Sequence, residues 1–158
     1  MPAGTNDSAD ALTERDRQDL IDLVVEFAWR VDHRSADTIH ELVTDDVFFQ
    51  MAYGPIVGKD AVEAWGRDRA AVDRTTRHIM TNFRFRVVGK DKVEGSSMSV
   101  IFRSEGSQIA PPLPWAVTEC SDVFVRQEGT WKFASHITND VYRSAGSVAN
   151  FGAGTPVG

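Results

Sequence analysis

A chain of 158 residues, 42% hydrophobic and 25% charged, has the length of one domain and the composition of a globular protein. Its net charge of -6 and pI of 5.1, with Lys and Arg scattered rather than striped, exclude a binder of nucleic-acid backbones or anionic membranes. A single cysteine, Cys120, excludes an internal disulfide and a cysteine-built metal cage, and it suits a reducing compartment.

The opening residues "MPAGTNDSAD" hold no basic segment leading into an apolar core, and no run of about eighteen apolar residues occurs anywhere. The expectation is a cytoplasmic protein with no membrane partner and a flexible N-terminus over residues 1–11. Thr13 with Asp16 forms an imperfect capping box. Leu20, Val24, Phe27 and Val31 then recur at helical spacing, predicting a first helix. Positions 21, 25, 28 and 32 fall on one line of that helix, so Asp32 continues the stripe of Ile21, Val25 and Ala28. A carboxylate so placed is partly desolvated and requires hydrogen-bond donors.

Ser35 reads as a second N-cap, opening a short helix that carries Ile39, Leu42 and Val43. Next comes "VFFQMAYGPIVG", two β-like runs broken by Gly54 and Pro55, and a third helix is predicted over residues 60–73. The remainder reads as strands over 78–88, 92–103, 115–126 and 131–142. Their connections are a turn at "GKD", a proline-bearing loop and a turn at "QEGT". Helices first and an antiparallel meander afterwards predict an α+β domain over residues 12–143, with helices covering a curved sheet that forms a cone around a pocket. Residues 144–158, rich in Gly and small side chains, read as a flexible tail or lid.

His78 opens a strand-like run whose alternation contradicts itself. Met80 and Asn82 share its face but lead on to Arg84 and Arg86, while Phe83, Phe85 and Val87 lie opposite. Either a bulge near Asn82 switches the faces or a second subunit covers the outer one, the latter predicting a homo-oligomer. Both arrangements allow His78 to face the pocket, where an imidazole beside the Asp32 carboxylate makes a proton acceptor. A satisfied structural histidine is the competing reading. His33, His40 and His136 read as surface or sheet-face residues. No HxH, HxxxH or HExxH spacing occurs, and GxGxxG, P-loop and GxSxG patterns are missing, so neither a metal nor a nucleotide cofactor is expected. Met51, Tyr53, Trp65, Met80, Trp115 and Trp131 are candidates for lining an apolar pocket, with the Tyr53 hydroxyl placed to donate to a developing oxyanion.

From about Leu12 to Tyr142 the chain resembles the SnoaL-like branch of the nuclear transport factor 2-like superfamily. The resemblance is carried by "VDHRSADTIHELVTDDVFF", "TRHIMTNFRF", "GKDKVEG" and "EGTWKFAS". It implies the cone-shaped fold and, as in the scytalone dehydratases, hexachlorocyclohexane dehydrochlorinases and bile-acid dehydratases of that superfamily, an Asp ending the first helix and a His opening the third strand. Here those positions are Asp32 and His78, which the resemblance makes an orienting acid and a general base working without metal or organic cofactor. Four positions depart from the dehydratases. Phe27 stands where some carry tyrosine, Arg103 near a second histidine, and Thr118 and Cys120 near a Ser and an Asn of scytalone dehydratase. The implied activity is a lyase or isomerase acting on a small hydrophobic cyclic molecule. Tyr53 or Arg103 would steady departing charge, and Phe27, Met51, Trp65, Met80, Trp115 and Cys120 would contact substrate. A non-catalytic β subunit of a ring-hydroxylating dioxygenase and a ligand-binding module are the alternatives.

Overall fold

The computed structural model describes residues 11–144; residues 1–10, and the expected tail or lid beyond 144, lie outside the described residues. Helix α1 (Glu14–Asp32) starts where the Thr13 hydroxyl accepts the Asp16 backbone N–H at 3.0 Å, and it buries Leu20, Leu23, Val24, Ala28 and Val31. The following segment, Ala36–Leu42, is a 3-10 helix, and Ser35 makes no side-chain cap. The expected short helix is present, wound over seven residues with the tighter 3-10 geometry common in short connecting helices. Strands β1 (Val43–Met51) and β2 (Gly54–Val57) precede helix α2 (Lys59–Ala71), and the four long strands β3 (Arg74–Gly89), β4 (Lys92–Glu105), β5 (Ala116–Gln127) and β6 (Thr130–Arg143) complete the chain.

The sheet order is β2-β1-β6-β5-β4-β3, antiparallel throughout except where β1 lies parallel to β6. Both long hairpins turn in two residues. Lys90-Asp91 joins β3 to β4, and Glu128-Gly129 joins β5 to β6 with both residues at positive φ. The helices cover one face of this curved sheet, and Phe49, Phe124, Phe133, Leu20 and Ile39 are fully buried between the layers. Gly66 sets how closely α2 approaches, since a Cβ there would stand 2.1 Å from the Ala36 carbonyl oxygen. Among the described residues no helix is long and apolar enough to cross a membrane.

Two bulges decide which side chains reach the interior. In β3 the register slips between Thr81 and Arg84, and Asn82 adopts φ 57°. Before the slip Arg74, Thr76, His78 and Met80 point inward; after it Phe83, Phe85 and Val87 do, leaving Arg84 and Arg86 exposed. The bulge alternative therefore resolves the contradictory alternation of this strand within one chain. In β6, Phe133 pairs with Phe124 and Ser135 with Val123, so Ala134 is the extra residue. That insertion keeps both Phe133 and His136 on the buried side. The β3 strand also begins four residues before the expected start, which places His78 inside the strand rather than at its opening.

Candidate active site

The sheet and helices enclose an apolar cavity of about 110 Å³, comparable to a space that accepts a single ring. Asp32 ends α1, where the helix dipole and burial both disfavour a carboxylate. Three donors compensate. The His78 ring Nδ1 lies 2.6 Å from Asp32 Oδ1, the His78 backbone N–H donates to Oδ2 at 2.8 Å, and the Thr76 hydroxyl donates to Oδ1 at 2.8 Å. Burial works to raise this carboxyl, but the hydrogen bonds and charge of His78 and the Thr76 hydroxyl outweigh it and hold the group below the usual carboxylate range. The helical line expected to carry Asp32 inward is not the buried one, since Val25 is 44% exposed. Asp32 turns in from the edge of the true stripe, beside Ala28 and Val31.

His78 lines the cavity while Asp32 stands behind it, outside the wall. A carboxylate only accepts, so the Nδ1 contact places a proton on that nitrogen and leaves Nε2 as the ring's other functional atom. The network continues outward, because Thr76 Oγ1 accepts a bond of 2.9 Å from Arg69 Nη2. Arg69 is a site residue that the strand and motif patterns do not point to. Its helical spacing does carry a signal, for Val62, Gly66 and Arg69 are the buried residues of α2 and lie on one face.

The other expected site residues converge on the same cavity: Phe27, Met51, Tyr53, Trp65, Met80, Arg103, Trp115 and Cys120 all line it. Trp65 stacks on Phe27 with centroids 6.4 Å apart, and Arg103 lies 5.0 Å over the Trp115 ring. Burial pushes the Tyr53 phenol up, opposed by the Trp65 indole and the Arg69 charge. The buried Cys120 thiol is pushed up to about 12 by burial and by the nearby Asp122 charge, with a hydrogen bond from Ser97 acting the other way. Trp131 is a correction. It belongs to the core, beneath Arg126 at 4.4 Å, and donates its indole N–H to Asp16 rather than lining the cavity.

His136 is the larger correction. It is 5% exposed, not on the surface, and its Nδ1 lies 2.6 Å from Asp122 Oδ1. Its ring packs 5.0 Å from Phe27 and borders the cavity. Simple alternation from Trp131 and Phe133 turned it outward; the extra residue at Ala134 reverses that. His33 is exposed and stacked on Trp29, and His40 bonds the Asp37 carbonyl. Among the described residues no three His, Cys, Asp or Glu side chains group as metal ligands.

The SnoaL-like domain matches residues 13–136. The chain belongs to the SnoaL-like family. Solved structures share the fold at low identity. A provisionally assigned scytalone dehydratase from Novosphingobium aromaticivorans superposes with TM-score 0.73 at 15% identity, covering 85% of this chain and 89% of that one. A type 2 hexachlorocyclohexane dehydrochlorinase gives 0.69 at 19%, covering 84% and 91%. The protein Aln2 from a Streptomyces species gives 0.70 at 15%, covering 81% and 92%. At these identities the likeness speaks for the fold alone. No curated protein matches the sequence. The fold is thus the nuclear transport factor 2-like, or cystatin-like, α+β architecture named for other structures that superpose on this SnoaL-like chain.

Proposed function

We propose that this SnoaL-like protein is a cofactor-independent lyase or isomerase in which His78 removes a proton from carbon in a small hydrophobic cyclic substrate. The observation that carries this reading is the 2.6 Å bond between Asp32 and a histidine that fronts an apolar cavity. Asp32 holds the ring so that Nε2 faces the cavity, and its charge stabilises the imidazolium formed as the proton arrives. The electron pair left on carbon then expels a leaving group, or returns to a proton at another carbon. Tyr53 or Arg103, both on the cavity wall, steadies departing or shifted negative charge. General-base catalysis of this kind supplies about 10² to 10⁴-fold, so orientation by the aromatic wall carries much of the remainder. The fold shared with the provisionally assigned dehydratase and with the dehydrochlorinase supports the same class.

The test is incubation of the protein in D₂O with a panel of cyclic ketones, β-hydroxy ketones and cyclic halides, followed by mass spectrometry. Enzyme-dependent deuterium uptake or elimination that disappears in His78→Ala is expected. Turnover that survives in both His78→Ala and Asp32→Asn would remove the pair from the mechanism. Self-association belongs to the same reading, because Ile79 on β3 and Ile137, Val141 and Tyr142 on β6 stand exposed. A monomeric mass by light scattering at micromolar concentration would count against it.

A further inference from the structure

The cavity carries more positive charge than its own acids neutralise. Arg69 from α2, Arg74 from β3 and Arg103 from β4 all line it, and Arg69 is only 3% exposed. The acids near them are already engaged. Asp32 is held by Thr76 and His78, while Glu105 Oε1 is shared between Arg74 Nε at 3.3 Å and Arg103 Nη2 at 2.7 Å. Asp140, across the wall, accepts from Thr118 and pairs with Arg143. Two guanidinium nitrogens, Arg69 Nη1 and Arg103 Nη1, are buried without an acceptor among the described residues. Buried donors on a charged group are rarely left unmet, and guanidinium forks suit the two oxygens of a carboxylate.

We propose that the cavity binds a single-ring organic acid, its carboxylate received by Arg69 and Arg103 and its ring held by the aromatic wall. Arg69 also donates to Thr76, which donates to Asp32, so the anion's seat adjoins the histidine pair. Burial and the neighbouring cations Arg74 and Arg103 both lower Arg69, with Asp32 opposing them, as expected where an arginine cluster lacks its counter-anion. Trp115, beneath Arg103, completes a flat apolar and cationic seat. The inference takes the occupant to be the substrate of the reaction proposed above, but binding can be measured without turnover.

Titration of benzoate and of benzamide, followed by quenching of tryptophan fluorescence in wild type and in His78→Ala, separates the two claims. Benzoate is expected to bind at least about tenfold more tightly than its neutral amide in both proteins, the difference shrinking with added salt. Arg103→Gln is expected to abolish that preference. Arg69→Gln should do the same and is checked for folding by circular dichroism; if it does not fold, Arg103→Gln decides alone. Equal affinity for acid and amide, no benzoate binding, or a preference unchanged in Arg103→Gln would overturn the inference. A preference retained in His78→Ala sustains it even if the proton-transfer reading fails.

Discussion

Two histidines on the cavity wall, His78 and His136, are each backed by an aspartate through the same 2.6 Å bond, in opposite surroundings. Asp32 and His78 join a helix end to a strand, with side chains 6% and 20% exposed, and a chain of donors runs on through Thr76 to Arg69. Asp122 and His136 are direct cross-strand neighbours, with side chains 1% and 6% exposed, the ring enclosed by Phe27, Phe49 and Phe133. The bond alone therefore says little about role. Access and connection separate a pair suited to proton transfer from one whose first effect is on the core.

Substitutions can break that contrast, beginning with the largest effect. His78→Ala is expected to lower turnover of any substrate identified by the deuterium screen by about 10² to 10⁴-fold, measured as kcat/KM, while stability falls less than in Asp122→Ala because the backbone N–H of residue 78 and the Thr76 hydroxyl still hold Asp32. Asp122→Ala should do the reverse in stability. It leaves the buried His136 ring without its acceptor, at a cost of about 1–3 kcal/mol in a urea titration. A larger loss of stability in His78→Ala than in Asp122→Ala would erase the distinction.

A smaller effect concerns acid. The Asp32 carboxyl is held below its ordinary value of 3.8, so its contribution to stability is complete above that pH and is lost as pH falls through the lower folded value. Melting curves taken from about pH 5 to pH 2.5 should show a shallower acid limb in Asp32→Asn than in wild type. Equal limbs would mean that the pair contributes nothing to linkage. The smallest effect reports on the drier pair. Cys120 should alkylate slowly with iodoacetamide in the folded protein, and Asp122→Asn should speed the reaction slightly by removing the charge that helps push the thiol up.

Much of this arrangement was legible in the sequence because it depends on local spacing. The Thr13 cap, the α1 stripe and the two-residue turns at Lys90-Asp91 and Glu128-Gly129 follow from short-range patterns, and so does the α+β order. The conflict of faces in β3 was itself a readable sign of the Asn82 bulge. The Ala134 bulge left no comparable sign, since either face of β6 offers an acceptable side chain after it, and His136 was placed outward as a result. Arg69 escaped for a different reason. An arginine on a helix reads as solvated unless its line is followed from Val62 through Gly66, and only packing against the 3-10 helix reveals that this face is closed.

Whether Asp32 sets up His78 for proton transfer is read first from the His78 tautomer, in side-chain ¹⁵N–¹H correlation spectra of labelled protein. A proton on Nδ1, bonded to Asp32, with Nε2 unprotonated toward the cavity is expected, and that preference should be lost in Asp32→Asn. A proton on Nε2 in the wild type, unchanged by the Asp32 substitution, would contradict that role of Asp32.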